Sequence, residues 1–390
     1  MDFGKFLAPM TVETFMAEHF GRWPVQIRGD SPRSGLLSIQ RLEELLSIRP
    51  HWTDANIKLI LNSRPIMGDL YFEPAEPDRV RRADPVKVQT FLNMGASLVG
   101  DRIEDIDAGV RDAAAMLSAE FAATAGANVY FSSKDIRAFN SHCDLHEVFA
   151  VQLEGEKVWQ IYENRAEAPI EALNGPNAQA MIDQAKGRVL MTVHMQPGDL
   201  LYIPRGFFHD ALASSEESLH LTFGVAPLNG RYALRLLEEQ AIKHATVRNY
   251  LPDGRKDPEA LRAHLDGLAE EIAALIRSPM FESLVTGRQR AIVMTSSSAN
   301  ISEREKLEHF AATGQYAEVV WDATGVALHH SRGDEAVGVL GEPVEWVLGQ
   351  QAFSRQQLQA QFAWLSDGEI DVLIGLLTRL GLIVSIDPRV

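Results

Sequence analysis

Three side chains in this sequence have the types and spacing to hold a metal ion: His142 and Asp144, one residue apart, and His209, which ends the stretch Gly198-Asp-Leu-Leu-Tyr-Ile-Pro204-Arg-Gly206-Phe-Phe-His209. Two imidazoles and one carboxylate on one face of a cation leave the opposite positions open to other ligands. His142-x-Asp144 alone carries almost no information, since twelve histidines in an Asp-rich chain give roughly one such pair by chance. The second stretch changes the odds. Its G-x5-P-x-G-x2-H spacing sets a tight turn, a buried strand and a Pro-Gly corner ahead of the histidine. Glycine supplies backbone freedom at the turns, and proline ends the strand's pairing, so the corner aims His209 toward the mouth of a β-barrel.

The residues around this cluster sort by the same logic. Lys157, Trp159 and Ile161 share one strand face by the period-2 rule, so an inward Trp-Ile face carries the lysine inward. A buried cation needs an anion; the competing reading is the opposite facing, with Lys157 in water. His146 follows His142 by four residues, but the pair lacks the Glu of a helical H-E-x-x-H zinc site, and Val148–Leu153 is β-rich. His146 is therefore expected to be a polar loop residue rather than part of an entrance. His220 reads as a satisfied core histidine, His194 carries no function, and Cys143 is expected to point away from the metal and pack.

The elements that must position these residues come in three blocks. Helical spacing marks residues 2–20, with Thr11 as a cap, then Ser38–Leu46 and 105–123, where Ile106, Val110, Ala114, Leu117 and Phe121 recur every three or four residues. Strands are expected at Ile57–Leu61, Ala127–Phe131, Val158–Tyr162, Val189–His194, Leu200–Ile203 and Ser218–Val225, with a helix near 176–186. Helices return at Tyr232–Asn249 and Pro258–Ile276. The second carries Leu261, Leu265, Leu268, Ile272 and Leu275 on one face, a stripe that serves dimerisation or packing on the same chain equally well. Residues 295–315 read as a connector and Ala317–Val347 as strand-rich. Two helices then open on capping boxes, Ser354-Arg-Gln-Gln357 and Ser366-Asp-Gly-Glu369, before a closing strand at Leu382–Ile386. Helix–turn–helix plus strands is the winged-helix order, yet Arg379 is the only basic residue of the second helix, a poor reader of a polyanion.

Composition bounds the function. A chain of 390 residues with 46% apolar content predicts two or three packed domains. The single cysteine, Cys143, excludes an internal disulfide and a cysteine-rich zinc module and points to a reducing cytosol. No apolar run approaches the roughly 18 residues of a membrane span, and the first residues lack the build of a signal peptide. With 37 basic against 53 acidic side chains the net charge is −16, which disfavours nucleic acid and attracts basic partners.

The stretch His142-x-Asp144 followed by Val148-Phe-Ala-Val-Gln-Leu-Glu-Gly-Glu-Lys157-Val-Trp159, then Leu201-Tyr-Ile-Pro-Arg-Gly-Phe-Phe-His209, then Ser218-Leu-His-Leu-Thr222, resembles the cupin superfamily, specifically its JmjC-type oxygenases and among them the bacterial ribosomal oxygenases. The resemblance implies an α+β chain: a JmjC/cupin double-stranded β-helix (jelly roll) catalytic domain at 1–228, a helical dimerisation region at 229–300 and a winged-helix-like domain at 301–390. It implies an Fe(II)- and 2-oxoglutarate-dependent dioxygenase hydroxylating a side chain of a protein substrate, a ribosomal-protein Arg or His. His142, Asp144 and His209 are then the catalytic metal ligands and Lys157 binds the distal carboxylate of 2-oxoglutarate, with help from a hydroxyl of Thr222 or Ser218. A cytoplasmic homodimer that binds neither DNA nor membrane is the matching expectation. Two other classes remain: a ligand-sensing transcription regulator with a cupin pocket and a DNA-binding winged helix, and a metal cupin enzyme acting on a peptide or small molecule without 2-oxoglutarate.

Overall fold

The computed structural model describes residues 2–29, 32–48, 50–61, 64–74, 80–133, 140–215, 217–295, 308–322, 325–362 and 364–386. The chain forms two compact units, residues 1–227 and 228–390.

The first unit opens with two short capped helices. Asp2 caps Phe3–Leu7 (α1) and Thr11 caps Val12–Thr14 (α2), each side chain accepting a backbone N–H three residues on. α1 delivers Phe3, Phe6 and Leu7, and the turn that follows α2 delivers Phe15, to a core where each is buried. Ile39–Leu46 (α3) starts at Ser38 and Pro85–Asn93 (α4) at Asp84, whose carboxylate accepts from Val86 N and Lys87 N. The apolar residues 88–92 thus lie inside a helix. Ala108–Phe121 (α5) buries Val110, Ala114, Leu117 and Phe121, the face its periodicity predicts.

Among the described residues the strands of this unit are Val25–Ile27 (β1), Ile57–Leu61 (β2), Arg64–Pro65 (β3), Ser97–Gly100 (β4), Ala123–Ser133 (β5), Glu147–Glu154 (β6), Lys157–Arg165 (β7), Val189–Met195 (β8), Leu200–Ile203 (β9), Phe207–Ala213 (β10) and Glu217–Pro227 (β11). They form antiparallel sheets in the orders β1-β9-β6-β11-β5-β4-β2-β3 and β10-β7-β8. Alternation along β11 explains the layering. Leu219, Leu221, Phe223 and Val225 are fully buried in the outer core with α1 and α5. The intervening His220, Thr222, Gly224 and Ala226 line the space between the sheets. A second cluster, including Val148, Ala150, Trp159, Ile161 and Phe207, closes that space at its other wall. Burying such side chains contributes about 1.5–3 kcal/mol each, so alternation on these strands is what selects the register. The result is a β-jelly roll, and Ala178–Ala185 (α6) interrupts it where a helix was expected.

In the second unit Gly230–Ala241 (α7), Ala245–Arg248 (α8), Pro258–Ile276 (α9) and Pro279–Thr295 (α10) precede His309–Ala312 (β12), Ala317–Asp322 (β13), Gly325–His330 (β14), Gly333–Ala336 (β15), Gly341–Leu348 (α11), Ala352–Ser354 (β16), Arg355–Gln361 (α12), Asp367–Arg379 (α13) and Ile383–Ile386 (β17). The strands pair as β16-β12-β17 and β13-β14-β15. Both capping boxes form: Ser354 and Gln357, and Ser366 and Glu369, exchange side-chain to backbone hydrogen bonds.

Several expectations are corrected here. The helix expected over Tyr232–Asn249 is two helices, and α10 was not anticipated, although Ser278 accepts from Phe281 N ahead of it and Pro279 begins it. The strand-rich reading of Ala317–Val347 fails at α11, which buries Val344 and Val347 at helical spacing. Within the connector expected at 295–315, residues 309–312 form a strand paired on both sides, and residues 296–307 lie outside the described residues. Residues 62–63, 75–79 and 134–139 also lie outside them.

Candidate metal centre

His209 lies on β10, immediately after the Pro204–Gly206 corner. Gly206 has φ +91°, and a Cβ there would stand 2.4 Å from the Ala166 carbonyl oxygen, so glycine is required both by the backbone and by the close approach. Gly206 N donates to the Asp144 carbonyl at 3.0 Å, which ties the corner to the other motif. His142 and His209 are joined as a two-residue bridge: His142 N donates to His209 O at 3.0 Å and His209 N to His142 O at 2.8 Å. These backbone bonds bring together residues distant in sequence with their rings 4.5 Å apart.

One ligand-capable atom from each of His142, Asp144 and His209 lies within 4.8 Å of the others. His209 Nε2 is 3.3 Å from Asp144 Oδ2. Each imidazole has its Nδ1 beside a carbonyl, Asn140 O at 2.9 Å for His142 and Phe207 O at 3.0 Å for His209. A carbonyl only accepts, so Nδ1 carries a proton in both rings and Nε2 is the nitrogen left to ligate a cation in the common space. Burial pushes the Asp144 carboxyl up, but the hydrogen bond and charge of His209 prevail and hold it well below the usual carboxylate range. Burial and then the neighbouring His209 lower His142, whereas Asp144 outweighs burial at His209 and raises it. Two imidazoles and a carboxylate within this span fit a divalent transition metal with open positions.

The groups behind the triad brace it. Asp210, buried next to His209, accepts from Ser141 Oγ and from Tyr162 OH, each at 2.7 Å. Lys186 Nζ in turn donates to Ser141 Oγ at 2.9 Å and lies over the Tyr162 ring. Since Ser141 precedes His142 and Asp210 follows His209, this network holds both ligand-bearing segments from outside the metal position.

A cavity of about 590 Å³ opens over the triad and runs down the barrel to Lys157. Lys157 is 3% exposed, as the inward reading of its strand requires. Its ammonium sits 3.4 Å from His220 Nδ1 and 5.9 Å from the centre of the Tyr130 ring. Burial lowers its pKa to about 7. His220, pushed well below its usual value by burial and then by Lys157, is neutral and stacks on Tyr130 with ring centres 4.6 Å apart. Trp159 stands between the two regions, 5.9 Å from the His209 ring and 5.6 Å from the His220 ring. Its buried indole N–H has no partner among the described residues.

Thr222 lines the cavity, but Ser218 does not: its hydroxyl accepts from Gln152 Nε2 at 3.0 Å and it is fully buried beyond the cavity lining. His220 and His146, expected to be a core and a loop residue, both line it. Pairing explains why. His220 lies opposite Tyr130 and Thr222 opposite Asn128, so the period-2 rule applied to β5 and β11 together would have found this wall. Cys143 packs away from the triad beside Tyr162, Ile182 and Phe208, as expected, and His194 is exposed.

The antiparallel jelly roll with this triad defines the barrel as a cupin fold. Residues 102–232 match the family model for the JmjC domain, and this part of the chain is a JmjC domain. The chain is 29% identical over 221 residues to the bifunctional lysine-specific demethylase and histidyl-hydroxylase NO66 of Drosophila persimilis, a match covering 56% of this chain and 30% of that protein. It is 31% identical over 215 residues to ribosomal oxygenase 1 of Danio rerio, covering 50% of this chain and 39% of that protein. These matches span well under two thirds of the relatives' lengths. The structure of YcfD, a ribosomal oxygenase from Escherichia coli, in complex with cobalt and succinic acid covers 97% of this chain and 99% of its own at TM-score 0.50 and 16% identity, a likeness of fold.

Proposed function

We propose that this protein is an Fe(II)- and 2-oxoglutarate-dependent oxygenase that hydroxylates a side chain of a protein substrate, a ribosomal-protein Arg or His. The observation that carries the reading is a buried lysine without a carboxylate partner among the described residues, in the same cavity as a two-histidine, one-carboxylate cluster. His142, Asp144 and His209 would hold the metal. When bound, Fe(II) supplies the oxygen chemistry that couples oxidative decarboxylation of 2-oxoglutarate to hydroxylation of a C–H bond. The chain's own residues do the rest. Lys157 pairs with the distal carboxylate of the diacid, and the charge it cannot satisfy in the free protein becomes an ion pair on binding. His220 holds the ammonium in place, Thr222 offers a hydroxyl, and the Trp159 N–H, without a partner among the described residues, is a further donor to a bound carboxylate. The apolar wall of Val148, Ala150 and Trp159 excludes water, which keeps reactive chemistry on the substrate. The cobalt and succinic acid in the YcfD structure, and the names of the NO66 and ribosomal oxygenase 1 relatives, support this reading.

The catalytic part is assigned to residues 1–228, a dimerisation region to 229–300 and a winged-helix-like domain to 301–390. Supporting the dimer, Leu265, Ile272 and Ile276 on α9 are 49%, 37% and 45% exposed. A ribosomal target places the protein in the cytoplasm. The test is anaerobic reconstitution with Fe(II), followed by assay of succinate release with and without ribosomal-protein peptides. Lys157→Ala should raise the 2-oxoglutarate concentration needed at least tenfold, the order expected for a lost charged hydrogen bond; an unchanged requirement would favour a cupin enzyme that does not use this co-substrate.

A further inference from the structure

The cavity wall above the triad lacks bulk. Gly126 faces Gly224 across the β5–β11 pair, and Thr124 faces Ala226. Into the space left by Gly224 fits one ring, the imidazole of His146: a Cβ on residue 224 would stand 2.8 Å from its Cε1, 3.0 Å from Nε2 and 3.1 Å from Nδ1. Gly224 is not among the glycines with positive φ, so the backbone does not demand glycine there; the ring does. His146 Nδ1 lies 3.2 Å from the carbonyl oxygen of Glu147. That nitrogen therefore carries the hydrogen, and Nε2 is an acceptor with no partner among the described residues.

The position of this acceptor separates it from the diacid. Lys157 touches His220, and His146 touches Gly224. His220 and Gly224 lie on one face of β11, four residues apart, which is about 13 Å along a strand. Asp144 is two residues from His146 in the chain and feels its charge, so the triad lies near the His146 end of the cavity, and a side chain brought to the metal position would pass beside His146. An enzyme that oxidises one C–H bond must fix the target side chain, and an acceptor at the rim fixes a donor.

We propose that His146, seated on Gly224, is a specificity-determining residue that accepts a hydrogen bond from an N–H of the substrate side chain, and so selects a guanidinium or imidazole over an aliphatic group. The assignment rests on the protein-hydroxylase reading and names the contact by which that substrate class is chosen.

The test uses Co(II)-loaded full-length protein with succinate, and short fluorescein-labelled peptides identical except for a central Arg, His or Leu, read by anisotropy. Wild type should bind the Arg or the His peptide about tenfold tighter than the Leu peptide, the size of one hydrogen bond to a polar or charged group, and which of the two binds tighter identifies the target. His146→Ala should bring the three within about twofold of one another, and His146→Gln, which keeps an acceptor near the Nε2 position, should restore part of the preference. Gly224→Ala should weaken it like His146→Ala, and the double variant should be no weaker than His146→Ala alone, because the added methyl acts only through the ring. The Co(II) d–d spectrum reports in each variant whether the triad is intact. A preference that survives in His146→Ala, or additive losses in the double variant, overturns the assignment. Wild-type protein that turns over 2-oxoglutarate but shows no preference overturns the assignment alone; Fe(II)-loaded wild type that releases no succinate under any condition overturns the hydroxylase reading as well.

Discussion

Lys157 illustrates how one buried group ties stability to binding. Burial depresses its pKa from 10.5 to about 7. Between these values the unfolded chain holds the extra proton, so this residue's contribution makes the free protein more stable as pH rises from about 7 to 10.5. Binding of a dianion has the opposite dependence because it needs the ammonium: affinity should be highest below pH 7 and fall by up to about tenfold per unit above it until the bound-state pKa is passed. Calorimetric titration of the Co(II)-loaded protein with 2-oxoglutarate across pH 6.5–8.5 checks this, and a flat profile matching that of Lys157→Met would contradict it. Asp210 carries a second prediction. Its replacement by Ala strands the Ser141 and Tyr162 hydroxyls, each of which donates to it at 2.7 Å. Metal affinity should drop about 10–100-fold, measured by chelator competition, since the groups bracing His142 and His209 are loosened. The triad itself was legible from residue types because two independent motifs converge on it. His146 stands in the bend before β6, the loop position expected, but its ring lines the cavity because Gly224 leaves room for it, a contact that no local pattern encodes. Ser218 shares the inward face of β11 with Thr222, but period-2 alternation says nothing about depth, and Gln152 takes its hydroxyl.

At the scale of elements, the strands were legible where alternation or capping is strong. β2, β8, β9 and both capping-box helices stand where expected, because each is specified by its own residues. The second unit was read less well. α11 and α10 are short or only weakly one-sided in sequence, and their burial comes from neighbours such as Trp321 against Gly341 and Trp364 against Gly287. The Pro204–Gly206 corner is the element on which the site most depends. Gly206→Ala would force a methyl against the Ala166 carbonyl and a side chain into φ +91°. The expected cost is roughly 1–3 kcal/mol. Thermal unfolding should show it together with weaker metal binding, because the same corner sets His209.

For the whole molecule, a net charge of −16 describes a surface that steers basic partners and repels polyanions. The exposed apolar positions of α9 predict self-association in solution. Sedimentation should give a dimer, and Leu265→Glu with Ile272→Glu should give a monomer whose JmjC domain still binds metal; a wild-type monomer at micromolar concentration would contradict the dimer. The central claim is tested most directly by incubating Fe(II)-reconstituted protein with ribosomal-protein peptides, 2-oxoglutarate and O₂ and weighing the peptides by mass spectrometry. The account predicts that one Arg- or His-containing peptide gains a single oxygen atom, with succinate formed in step and both events abolished by His209→Ala. Metal-loaded protein that forms neither succinate nor oxidised peptide would contradict it.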